Sequence, residues 1–166
     1  GEAIIIHDAT LERTTDGIGR VVAQTSRDLA GLRLRGGAGE AVPRLAEMLE
    51  VFRGSPVAPR IEIKEDADGR PYPGLVARVL SDLDRSGLRG RSWIIGFDAP
   101  TMAEVAAAGG LAGVAWLLER NTWRALGLRG VIAVAKTYGF PEIGVHEALI
   151  DSDACAVLRA ADIGVS

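Results

Sequence analysis

Lysine is nearly missing from this 166-residue chain: Lys64 and Lys136 are the only two, and arginine supplies the rest of the positive charge. The net charge of −3 leaves no basic footprint, which speaks against a nucleic-acid partner. Cys155 is the single cysteine, so an internal disulfide and a cysteine-based zinc cluster are both excluded. Its neighbours Ala154, Ala156, Val157 and Leu158 predict a small buried thiol. No apolar run approaches the ~18 residues that a membrane helix needs, so no integral membrane segment is expected. Gly-x-Gly-x-x-Gly does not occur between a strand and a helix, nor does a Walker loop, and nucleotide binding loses its main support. A signal peptide is also not visible. The chain starts at Gly1 rather than Met and reads as a piece of a longer protein.

What is present has the balance of a globular domain: 48% apolar and 25% charged residues, on a chain long enough for a real core. Ala3 to Ile6 reads as a buried strand ending at His7-Asp8. Residues 9–42 read as an irregular excursion in which Gly31, Gly36, Gly37 and Gly39 break any helix. Pro43 opens a helix with Leu45, Met48, Leu49 and Phe52 on one face, and Gly54 closes it. Strands follow at 60–64, 92–97, 111–118, 143–145 and 163–165. The helices between them are expected at 74–86, after Asp98, after Asn121 with interruptions at Gly127 and Gly130, and at 152–161 capped by Ser152. One strand every twenty to thirty residues, alternating with helices, is the rhythm of βαβ units on a parallel sheet. The fold class is α/β, and either a doubly wound sheet or a (β/α)8 barrel meets that rhythm.

Arg60-Ile61-Glu62-Ile63-Lys64 poses the functional question. Alternation on a strand puts Ile61 and Ile63 on one face and Glu62 and Lys64 on the other. On a wet face the charged pair is a weak ion pair worth ~0–1 kcal/mol. Inside a covered parallel sheet the same charges need partners or a metal. Polar residues recur at predicted strand ends, at His7-Asp8, Asp98, Glu119 and His146, and in a barrel such ends converge on one mouth. If His7, Glu62 and Lys64 share that mouth, the set suits a phosphate ester. Glu62 supplies an oxygen to Mg²⁺ or Ca²⁺, Lys64 neutralises a phosphoryl oxygen, and His7 protonates a leaving alkoxide. One carboxylate does not hold such an ion alone. Asp8 is expected to fix the turn, since adjacent strand residues face opposite ways. His7 and His146 also each have an ordinary reading as loop histidines. Asp66-Ala67-Asp68-Gly69 begins like a calcium loop but lacks the downstream Glu, and Pro71 and Pro73 interrupt it. Trp93, Trp116 and Trp123 read as core or wall, with Trp116 near a strand end.

The ordered pieces Ile4-Ile5-Ile6-His7-Asp8-x-x-Leu11-x-Arg13-Thr14-Thr15-x-Gly17-x-Gly19, Val42-Pro43-x-Leu45-x-Glu47 and Ile61-Glu62-Ile63-Lys64 resemble the glycerophosphodiester phosphodiesterase family. The resemblance runs over nearly the whole chain. It implies an incomplete TIM (β/α)8 barrel of the phospholipase-C-like phosphodiesterase type, with residues 1–166 as one domain and 9–42 as a small insertion capping the mouth. It implies that His7 is the second of two catalytic histidines, Glu62 a ligand of a divalent metal, Mg²⁺ or Ca²⁺, and Lys64 a phosphate contact. The implied reaction is metal-dependent hydrolysis of a small-molecule glycerophosphodiester to glycerol 3-phosphate and an alcohol.

The family's His-Arg-Gly and Glu-x-Asp strands have no counterpart after Gly1, and neither does its last βα unit. Gly96-Phe97 stands where the family usually has Ser-Phe. The expectation is therefore a family enzyme in part, inactive and unstable as these residues alone. Two other readings stay open: a lysophospholipase-D or sphingomyelinase-D-like phosphodiesterase, and a non-catalytic barrel that binds a phosphoryl ligand.

Overall fold

In the computed structural model, which describes residues 1–166, α-helices and strands alternate from residue 60 onward. The α-helices are α1 (Ser26–Gly31), α2 (Leu45–Arg53), α3 (Leu75–Ser86), α4 (Ala99–Ala108), α5 (Arg120–Tyr138) and α6 (Ser152–Ala160). The strands are β1 (Arg60–Ile63), β2 (Trp93–Gly96), β3 (Gly113–Leu118), β4 (Glu142–Val145) and β5 (Gly164–Val165). They form one sheet in the order β1-β2-β3-β4-β5, and every neighbouring pair is parallel.

Spatial order equals chain order, with no reversal. A doubly wound sheet reverses at a switch point and a barrel does not, so the winding is that of a (β/α)8 barrel with part of its strands present. An ion pair shows the sheet's curl. Arg60 Nη2 lies 2.6 Å from Glu142 Oε1, although β2 and β3 separate their strands. Three strand spacings on a flat sheet span roughly 14 Å, and side chains that stand off the sheet face do not cover that distance. The sheet bends to bring them together, and Arg60 also lies over the Trp93 ring at 5.2 Å. Both ion-pair residues begin their strands, the end of a barrel that carries stability rather than chemistry.

Contacts group the chain into two compact units: Gly1–Pro59 with Lys64–Arg89, and Arg60–Ile63 with Gly90–Ser166. In the first, Leu11, Val21 and Leu29 form a small core on which Ile4, Ile6 and Leu32 pack. Helix α3 buries Val76, Val79, Leu80 and Leu83, a stripe at helical spacing, and packs on α2. Gly74 and Gly87 flank α3 with φ of 73° and 71°, a left-handed geometry that costs glycine little.

The stretch 3–6 departs from expectation. It is no ladder strand: Ile4 makes one antiparallel bridge with Arg44, and Ile5 is exposed. Its hydrogen bonds run to the entry of α2, with Ile5 N donating to Pro43 O at 2.8 Å and Leu45 N donating to Ala3 O at 2.9 Å. That same pairing takes the Pro43 carbonyl, so α2 starts at Leu45, where Glu47 caps the Arg44 amide at 2.9 Å. Helix α1 lies inside the supposedly irregular 9–42. Thr25 and Asp28 cap it reciprocally, and it is over by Gly31.

In the second unit β3 is a buried run, as a sheet covered on both faces demands. Helix α4 packs on β2 and β3, and α6 on β5. Helix α5 is broken at Gly127 (φ 58°, ψ 175°) and not at Gly130. Asp151, rather than Ser152, caps α6 by accepting from Ala154 N at 2.8 Å. No helix is long and apolar enough to cross a membrane.

Candidate active site

His7 leaves the 3–6 stretch with its side chain 70% exposed. Its surroundings come from the loop that follows. Thr10 bridges Arg20, Leu11 N donates to Gly19 O at 3.0 Å, and Thr15 N donates back to Leu11 O at 3.0 Å. The Thr15 hydroxyl is fully buried; it donates to Leu11 O at 2.7 Å and accepts from Gly17 N at 3.0 Å. Gly17 is pressed against Leu32 and Leu11 with no room for a Cβ. Glu12 Oε1 accepts from Gly19 N at 2.7 Å, which ties off the far side. Much of the Leu11-to-Gly19 motif is thus loop architecture, and the turn it builds returns Arg13 to Asp8.

There the guanidinium grips the carboxylate. Arg13 Nη2 donates to Asp8 Oδ1 at 2.6 Å and Nε donates to Oδ2 at 2.5 Å, the fork geometry of a bidentate pair. His7 Nδ1 lies 2.7 Å from Asp8 Oδ1 and 3.2 Å from Arg13 Nη2. The Arg13 hydrogen bonds, and then the His7 contact, hold the Asp8 carboxyl well below the ordinary carboxylate range. Asp8 was expected to fix a turn; its side chain instead contacts both His7 and Arg13. Face alternation misled there because residues 7 and 8 are not in a strand. A carboxylate and an arginine five residues apart carry a pairing signal, but irregular backbone offers no periodicity from which to read it.

Glu62 is the third residue of β1, in register with Ile95, and Lys64 follows the strand directly. Glu62 belongs to the second unit, while His7 and Lys64 belong to the first. Both charged residues are half-buried, so neither stands on an open wet face. Ile63 on the alternate face is buried. Residues 65–71 turn back through an antiparallel bridge between Glu65 and Pro71. Asp66 Oδ1 organises that turn by accepting from Asp68 N at 2.8 Å and Arg70 N at 2.9 Å, and Arg20 pairs with Asp68 at 2.8 Å. These carboxylates serve the loop. No group of three or more His, Cys, Asp or Glu side chains in these residues could hold a metal ion, so the donors present do not by themselves fit a divalent cation.

Past the ends of β3 and β4, a cleft of about 490 Å³ is lined by Leu118, Glu119, Arg120, Asn121, His146 and Leu149. His146 Nδ1 accepts from Ala148 N at 3.1 Å, so this imidazole caps a turn. Trp116 is buried, donates from Nε1 to Phe97 O at 2.9 Å and packs on Phe140, which makes it core. Cys155 is half-buried, more open than its apolar neighbours suggested.

No family profile matches the chain. A curated glycerophosphodiester phosphodiesterase of Caldanaerobacter subterraneus subsp. tengcongensis is 29% identical over 110 residues, 63% of this chain and 44% of that protein. The chain thus matches less than half the length of this curated relative. A solved structure from Agrobacterium tumefaciens, assigned as a glycerophosphoryl diester phosphodiesterase, is 33% identical with a TM-score of 0.92, covering 99% of this chain and 67% of that one. A phosphodiesterase of Oleispira antarctica, solved with the product sn-glycerol-3-phosphate, shares the fold at a TM-score of 0.73 and 20% identity, over 98% of this chain and 65% of that one.

Proposed function

The chain belongs to the glycerophosphodiester phosphodiesterase family, and on that premise we propose that it is part of an enzyme that hydrolyses a glycerophosphodiester to glycerol 3-phosphate and an alcohol. The observation that carries this reading is the 33% identity at a TM-score of 0.92 over 99% of the chain. The product bound to the Oleispira relative is in keeping with it.

In the proposed reaction water adds to phosphorus and the bond to the alcohol oxygen breaks. His7 is the residue of this chain suited to give that oxygen a proton, since its ring is exposed and an imidazole nitrogen can carry a transferable proton. Lys64 offsets charge on a non-bridging oxygen. Glu62 would offer one oxygen to a divalent cation, Mg²⁺ or Ca²⁺, and the donors of these residues do not complete such a site. Such an ion, when bound, supplies charge stabilisation at phosphorus-bound oxygens.

The test uses the full-length enzyme and follows glycerophosphocholine by ³¹P NMR. Glu62→Gln is expected to lower turnover at least a hundredfold with an unchanged circular dichroism spectrum, and a chelator should do the same to the parent protein. Retained turnover in Glu62→Gln would remove Glu62 from the proposed machinery.

A further inference from the structure

The Arg13–Asp8–His7 cluster contains a proton-placement problem with one solution. Asp8 Oδ1 and His7 Nδ1 are 2.7 Å apart. Two lone pairs do not approach so closely, so a proton lies between them. The carboxyl cannot be its owner, because Arg13 hydrogen-bonds both of its oxygens and keeps it ionised. The proton therefore sits on Nδ1. Nδ1 then cannot also accept from Arg13 Nη2 at 3.2 Å, and that contact is proximity rather than a hydrogen bond. The neutral ring is left with its lone pair on Nε2, and the charged ring with its transferable proton there.

We propose that Arg13 is a positioning residue that acts on His7 through Asp8, clamping the carboxylate so that Nδ1–H is pinned and Nε2 alone faces the reacting oxygen. The proposal rests on the phosphodiesterase reading for its consequence, and on the geometry alone for the clamp. When the alcohol oxygen leaves phosphorus it takes the Nε2 proton; the ring keeps Nδ1–H throughout and changes neither tautomer nor orientation. Without Arg13, Asp8 has no second anchor, and the exposed ring can rotate away or exchange tautomers. Arg13 is itself largely exposed, so its replacement opens no core.

His146 supplies an internal contrast. Its Nδ1 accepts from a backbone amide, which assigns its neutral proton to Nε2. The two histidines of this chain should thus show opposite tautomers.

The experiment records side-chain ¹⁵N shifts of histidine in the full-length enzyme above the titration range, with His7 identified by its loss in His7→Gln. The expected result is an Nδ1-protonated His7, shifting toward an Nε2-protonated mixture in both Arg13→Gln and Asp8→Asn. In parallel, Arg13→Gln is expected to lower kcat by about ten- to a hundredfold, part of a general acid's usual contribution, with KM changed less than threefold. Arg13→Lys, or added guanidinium ion, should restore part of the rate. An Nε2-protonated His7 in the parent protein, or an Arg13→Gln variant with an unaltered tautomer, overturns the clamp. So does a loss confined to KM. A parent protein that shows the expected tautomer yet cleaves no glycerophosphodiester would overturn the phosphodiesterase reading and leave the clamp standing.

Discussion

Gly96 is a residue whose meaning changes once its neighbours are known. By resemblance it occupies a place where serine is usual, which reads as a lost polar wall contact. The structure supplies a steric reason. A Cβ at Gly96 would stand 2.9 Å from Met102 Sδ and 3.0 Å from the Ile63 carbonyl of the adjacent strand. The sulfur can yield, but the backbone oxygen cannot move without disturbing β1. Gly96→Ser is therefore expected to destabilise the protein by about 1–3 kcal/mol, an overpacking cost, visible as a lower urea midpoint. An unchanged midpoint would mean that the strand accommodates the side chain. No reading of one sequence finds this, because the obstruction comes from a helix and a strand on either side of residue 96 in the chain. His7 and Asp8 carry the same lesson. The chemical types were legible, but their mutual contact depends on a loop that brings Arg13 back to Asp8.

Elements were more legible than contacts, and capping shows why. Asp98 before Pro100 is a local helix-start signal, and in the structure Asp98 Oδ2 accepts from Thr101 N at 2.8 Å and from the Thr101 hydroxyl at 2.6 Å. Asp98→Ala should cost about 1 kcal/mol, and Asp98→Asn clearly less, by chemical denaturation. Equal losses for the two would show that charge at the helix start, not the cap, is what matters. Helix α5 was expected to break at both Gly127 and Gly130. Only Gly127 takes up a backbone region nearly closed to other residues. Composition marks where a helix can break; packing chooses which site does. The 3–6 stretch failed in the other direction. Its β-branched run is strand-like, but a strand exists only where a ladder partner does, and Ile4 finds one bridge.

At the scale of the molecule, the carboxylates held ionised by hydrogen bonds are unevenly spread. Asp8, Glu12, Asp28 and Asp66 are each held below the ordinary carboxylate range, led respectively by hydrogen bonds from Arg13, the Gly19 amide, Thr25 and the Arg70 amide. All four lie in the first unit, and all three tryptophans lie in the second. A carboxylate with a depressed folded-state pKa stabilises above its unfolded value, near pH 4, and that stability drains away as pH falls through the folded value. Acid should therefore loosen the first unit first. Protection of the amides at residues 1–59 against exchange, relative to their intrinsic rates, should fall below about pH 4 while tryptophan emission stays native. A simultaneous loss of both signals would contradict this uneven distribution. The sequence alone determined the α/β class, the alternation of elements, the family resemblance and the residue types suited to a phosphate ester, because these follow from local periodicity, turn chemistry and ordered motifs. The tertiary structure decided that the strands wind without reversal, that the sheet curls until Arg60 meets Glu142, and that Asp8 holds a histidine. Those depend on contacts between residues distant along the chain or joined through irregular backbone, where no local pattern records which side chains meet.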